Sequence, residues 1–176
     1  DSKRKEICTD IFSVINKYKK PFVFKNLHIL QRLGLIHDIA PKARFIYIKR
    51  DIEFVAQSIF KSRKELNIYP EEWWSIEPKN YKELLNLQLH ERIAKQVLSL
   101  EKQIEDDLER FYRDQYITID YKGLCKDYKK ELDKIAKFLG LALRPKRSKS
   151  PEIQREEKMK IDKTDFDKIK KYLTNN

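Results

Sequence analysis

Glycine is scarce in this sequence: only Gly34, Gly123 and Gly140 occur in 176 residues, and none lies in a Ser/Thr-rich turn. A glycine-rich phosphate-cradling loop of the Walker type therefore cannot be written anywhere along the chain. Cysteine is rarer still. Cys8 and Cys125 are far apart and have no histidine cluster beside them, which argues against a disulfide framework and a zinc site. With so little cysteine a reducing, cytoplasmic setting is expected. No apolar run approaches the roughly 20 residues of a membrane span, and the opening Asp-Ser-Lys-Arg-Lys has no signal-peptide character. The expectation is a domain without a transmembrane segment.

Positive charge is abundant. Against 28 Asp+Glu stand 39 Lys+Arg, a formal net charge of +11, so the surface field attracts anions such as nucleotides, sulfated glycans, nucleic acid or acidic membranes. Charge fixes the partner's sign and leaves its identity open. The 40% apolar content suffices for one core without disulfide or metal staples, and the length is that of one domain, so residues 1–176 are read as a single unit. Because the first residue is Asp1 rather than Met, that unit is expected to be partial at its N-terminal side.

Periodicity divides the chain into alternating elements. Ile7, Ile11, Val14 and Ile15 recur at helical spacing between Lys3 and Lys19, and Pro21 stops the pattern. Pro21-Phe-Val-Phe-Lys25 reads as a short strand, and Asn26 as the cap of a helix running to about Ala40. Arg44-Phe-Ile-Tyr-Ile-Lys49 is the strongest strand pattern, and Asp51 is placed to cap a helix whose Val55, Ile59 and Leu66 lie near one face. An irregular aromatic stretch with Trp73 and Trp74 follows, then a long helical pattern from Tyr81 to about Asp114. Gln115-Tyr-Ile-Thr-Ile-Asp120 is a third strand, helical patterns run from Tyr121 to Leu139 and stop at Gly140, and Thr164 to Leu173 form a last short helix. Strands alternating with helices of these lengths predict an α/β fold, a parallel sheet flanked by helices.

In such sheets ligands gather beyond the carboxyl ends of the strands, which here are Lys25, Arg50 and Tyr121. Arg50 directly follows a buried-type strand, and Ser58 lies eight residues on along the helix that Asp51 opens. A guanidinium fork and a hydroxyl make a phosphate clamp, although spacing alone favours reading Arg50 as a solvated strand-end residue and Ser58 as an ordinary helix serine. The surrounding stretch, Pro41-Lys-Ala-Arg-Phe-Ile-Tyr-Ile-Lys-Arg50 through Ser58 to Arg63, resembles the 3'-phosphate-binding strand and helix of the sulfotransferases that use 3'-phosphoadenosine 5'-phosphosulfate (PAPS). Phe22-Val-Phe-Lys25 resembles that family's strand ending in a lysine near the reaction centre. Tyr116-Ile-Thr-Ile-Asp-Tyr121-Lys-Gly-Leu and Ile135-Ala-Lys-Phe-Leu-Gly-Leu141 resemble its adenine-contacting turn and the helix end after it, with Lys122-Gly123 in place of the usual acidic pair. The resemblance spans about residues 20 to 145.

The resemblance implies a sulfotransferase or P-loop NTPase-like fold and an enzyme moving a sulfuryl group from PAPS to a hydroxyl or amine of a small-molecule or glycan acceptor. It implies Arg50, Ser58, Lys146 and Arg147 on the 3'-phosphate, Tyr121 near adenine, Lys25 near the reacting sulfate, His28 as the nearest candidate base, and no metal. It also implies a phosphosulfate-binding loop after a first strand. Neither can be written here, so both are expected upstream of Asp1. Trp73 and Trp74 are read either as walls of an acceptor cleft or as packing anchors. The competing class is a non-catalytic basic domain binding nucleotide, nucleic acid or a sulfated polymer, with nucleic acid the less expected partner.

Overall fold

The structure is a computed structural model and describes residues 2–142 and 157–174. Helices dominate it: α1 (Ser2–Tyr18), α2 (Leu33–Ile39), α3 (Ile52–Glu65), α4 (Tyr81–Leu84), α5 (Leu89–Tyr112), α6 (Tyr121–Lys126), α7 (Tyr128–Leu139) and α8 (Lys163–Thr174). Strands β1 (Phe45–Lys49) and β2 (Tyr116–Asp120) pair in parallel, in register from Phe45 opposite Tyr116 to Lys49 opposite Asp120. The expected α/β architecture, a parallel sheet flanked by helices, is what the chain forms.

Parallel strands cannot be joined by a tight turn, and the crossover here runs through α3, α4 and α5. Helix α5 is the spine. Its 24 residues extend about 36 Å at 1.5 Å per residue. The C-terminal half lays Ile104, Leu108 and Tyr112 on Phe45 and Tyr47 of the sheet and on Leu33 of α2. The N-terminal half lays Ile93, Ala94 and Val97 against Ala56 and Phe60 of α3 and Ile169 of α8. The molecule thus has a sheet core and a three-helix core strung on one helix, and the strand ends lie where the two meet.

The sheet's other face is only half covered. Ile48 and Ile119 are register partners and share that face, yet Ile119 beneath α7 is 1% exposed while Ile48 is 51% exposed. Parallel sheets ordinarily bury both faces. Helix α1 buries none of its residues, and Arg4 ties it to Asp38 of α2 at 3.4 Å.

Several local expectations change. Residues 21–26 form no strand: the run is extended but has no ladder, Val23 is 81% exposed, and Phe22 and Phe24 stand 5.4 Å apart between ring centres, each nearly half exposed. A strand needs a neighbour for its N–H and C=O groups, and the described residues place none beside it. Asn26 does act as a cap, accepting the His28 N–H at 2.8 Å, but it opens a 3-10 helix (Leu27–Gln31) before the chain breaks at Arg32 and restarts as α2. The long helical pattern from Tyr81 divides at Gln88, whose extended backbone (ψ 148°) separates α4 from α5. Tyr121 to Leu139 likewise forms two helices, with the Asp127 side chain capping the second through the Lys130 N–H. Gly140 ends it as expected, in the left-handed region at φ 68°.

Candidate functional site

Because Lys49 is opposite Asp120, the next residue of each strand, Arg50 and Tyr121, emerges on the same edge of the sheet. The Arg50 guanidinium carbon sits 5.0 Å from the Tyr121 ring centre and 5.9 Å from that of Phe54, one helical turn on in α3. Stacking on aromatic faces leaves the planar N–H edge of a guanidinium as the direction in which it donates. The surrounding depression, about 420 Å³, is bounded by Lys49 to Glu53, Glu101 and Asp120. A second, of about 440 Å³, continues from Asp120 past Lys122 and Gly123 to Lys126.

Four carboxylates border this region, and each is engaged. Asp51 pairs with Lys122, Glu101 with Lys49 at 3.3 Å, and Glu53 with Lys170 of α8 at 3.6 Å. Asp120 accepts the Gly123 N–H at 2.8 Å. Negative charge at the strand ends is thereby offset locally. Asp51 sits at the N-cap position of α3 without capping it, because its carboxylate turns to Lys122. A lysine in place of the acidic pair thus has a definite partner.

The hydrogen bond to Glu105 at 2.6 Å is the main cause that raises Lys49 to about 12. Burial, with Glu101 and Glu105 nearby, lifts the Tyr47 hydroxyl to about 12 as well. Both groups therefore stay protonated at neutral pH, and neither serves as a base.

Of the residues singled out in the sequence, Arg50 and Tyr121 are brought into contact. Ser58 is exposed on α3, about two turns beyond Arg50. Lys25 and His28 lie on the exposed N-terminal run, and no hydrogen bond, ion pair or ring contact joins either to Arg50 or Tyr121 among the described residues. Lys146 and Arg147 lie outside the described residues. Phe54 was missed: Arg50 lies before the first turn of α3, so the spacing between them carried no helical-face signal. The pairing of Asp51 with Lys122 had no sequence signal, since it joins residues on separate strands' ends.

The aromatic stretch between α3 and α4 lies elsewhere. Arg63, Arg92 and Gln96 are buried and spend their donors on its carbonyls: Arg63 on Tyr69 and on Glu72 (2.9 Å), Arg92 on Pro70, Gln96 on Trp74 (3.0 Å) and Ile76 (2.9 Å). Burial pushes both guanidinium pKa values below their ordinary range. Trp73 packs edge-on against Tyr81 at 5.8 Å. This stretch is fastened at the end of α3 remote from Arg50, and Trp73 packs there on the Tyr81 ring.

Among the described residues no group of three or more His, Cys, Asp or Glu is placed to hold a metal ion, and no helix is long and apolar enough to cross a membrane. Cys8 and Cys125 are free thiols, each partly buried. Fold and site together define an α/β protein with an arginine and an aromatic ring beyond the carboxyl ends of parallel strands. Residues 2–145 match the model of the Sulfotransferase family, well over half the chain, and the chain belongs to that family. Its chemistry is accordingly sulfuryl transfer in general. No curated protein and no solved structure matches the chain.

Proposed function

We propose that this chain takes part in sulfuryl transfer from PAPS to a hydroxyl or amine acceptor, a small molecule or a glycan, and that it carries the grip on the 3'-phosphoadenosine end. The observation that supports this most is the contact of Arg50 with Tyr121 at 5.0 Å, on the strand ends of a chain in the Sulfotransferase family. The residues present fit that end of the cofactor: a stacked guanidinium suits phosphate oxygens, an aromatic ring beside it suits a purine, and Ser58 offers a hydroxyl from α3. Residues 1–176 act as one sulfotransferase-like unit, with Lys146 and Arg147 adding charge to the 3'-phosphate.

Bound PAPS supplies the sulfuryl group and leaves as adenosine 3',5'-bisphosphate. In this reading the Lys25 ammonium would offset negative charge developing on the leaving phosphate oxygen, and the His28 imidazole would take the acceptor's proton as its oxygen or nitrogen bonds to sulfur. No glycine-rich cradle for the phosphosulfate end occurs among the described residues. Gly34 packs on Phe111, Gly123 is capped by Asp120, and Gly140 ends α7.

The test is ligand selectivity of the folded chain, by calorimetric titration with adenosine 3',5'-bisphosphate, ATP and a heparin fragment at physiological salt. The proposal predicts that the bisphosphate is preferred to ATP. Equal binding of all three, falling steeply and together with salt, would instead make this a basic surface for polyanions.

A further inference from the structure

Helix α8 lies beyond the stretch that matches the family, yet it is part of the core, with Ile169 fully buried between α3 and α5. Its N-terminal turn is held by Asp165, which accepts from Lys64 and pairs with the His90 Nε2, each at 2.8 Å. The chain reaches α8 by passing across the middle of α3. Gln57, 2% exposed, holds it there. Its Nε2 donates to the Lys158 carbonyl at 3.1 Å, and its Oε1 accepts the Lys160 N–H at 2.8 Å.

One buried side-chain amide thus binds both a donor and an acceptor of a segment about a hundred positions away in the chain. Burying an amide is costly unless both ends are met, and here both are met by the same short stretch of backbone. Attachment of α8 alone does not call for this arrangement, since Ile169 and Asp165 already supply apolar burial and an ion-pair network. What Gln57 adds is direction: it sets how the 158–160 backbone crosses α3, and it does so one residue before Ser58.

We infer that Gln57 is a positioning residue for the anion site, acting through the 158–160 backbone to fix the second turn of α3, from which Ser58 presents its hydroxyl. The inference rests on the proposed reading of Arg50 and Ser58 as the 3'-phosphate grip. Sites that recognise an anion through a few donors lose affinity when the supporting contacts loosen, even when those contacts never touch the ligand.

Gln57→Met keeps the side chain's bulk and removes both hydrogen bonds. Calorimetric titration of wild type and Gln57→Met with adenosine 3',5'-bisphosphate and with 5'-AMP, which lacks the 3'-phosphate, separates positioning from general loosening. The bisphosphate is expected to bind about tenfold more weakly to the variant, a change of about 1.4 kcal/mol, with 5'-AMP unchanged. If the variant does not fold, hydrogen exchange at the Lys160 amide of the wild type decides the same question: the bisphosphate should slow it and 5'-AMP should not. Equal loss of both ligands, no loss of either, or an amide indifferent to both would overturn the inference alone. A wild type that does not prefer the bisphosphate to 5'-AMP would overturn the functional reading, and the inference with it.

Discussion

Replacing Ile169 by alanine tests whether α8 belongs to the body of the molecule. Ile169 is fully buried against Ala56, Phe60 and the α5 residues Ile93, Ala94 and Val97, so the substitution strips three carbons from a closed core. At about 0.8 kcal/mol per buried methylene the transfer loss is about 2.4 kcal/mol, and the cavity left behind brings the total to about 3 to 4 kcal/mol. For a chain of this size that corresponds to a melting temperature lower by roughly 10 °C. Urea unfolding followed by far-UV circular dichroism reads it, with Lys168→Ala on the exposed side of α8 as the control, expected within about 0.5 kcal/mol of wild type. If Ile169→Ala also stayed within that margin, α8 would not be packed against α3 and α5.

Acid should loosen the same helix. Burial is the largest single influence on Asp165 and pushes its carboxyl up, but the hydrogen bonds from Lys64 and His90 together outweigh it and hold the pKa below the ordinary range. The folded value being the lower one, this stability is present above about pH 4, the unfolded carboxylate's pKa, and is lost as pH falls through the folded value. Urea melts of wild type and Asp165→Asn should therefore differ near neutrality and converge in acid; a difference that grew as pH fell would contradict the sign. Gly140→Ala meets no atom within 4 Å of the added Cβ, so its cost is the left-handed backbone (φ 68°) alone, about 1 kcal/mol by thermal melting. A loss near zero would mean that the α7 terminus relaxes out of that conformation.

The elements legible in the sequence were those whose stabilising contacts are close in the chain or strongly periodic. Phe45-Ile-Tyr-Ile and Tyr116-Ile-Thr-Ile alternate as strands do, and Gly140 stops a helix by its own backbone freedom. The run after Pro21 had the same composition as those strands but no neighbour to pair with, and pairing is not encoded locally. The break at Gln88 carries no proline or glycine. It comes where α4 ends and α5 begins its packing on α3, a tertiary matter. At the site, Arg50 and Tyr121 were each visible as the residue after a strand, and the parallel register makes them neighbours. Asp51 reads as a helix cap by position and is a partner of Lys122 in fact, because a lysine across the strand ends competes for its carboxylate. Gln57 carried no signal either, since its partners lie at positions 158 and 160.

The central claim, that Arg50 at the end of β1 grips the 3'-phosphate of a nucleotide, is tested most directly by calorimetric titration of the chain with adenosine 3',5'-bisphosphate, wild type against Arg50→Ala. Losing a charge-assisted hydrogen bond in that grip is worth about 1.5 to 3 kcal/mol, so the folded variant should bind at least tenfold more weakly. Undiminished binding by a folded Arg50→Ala chain would contradict the claim.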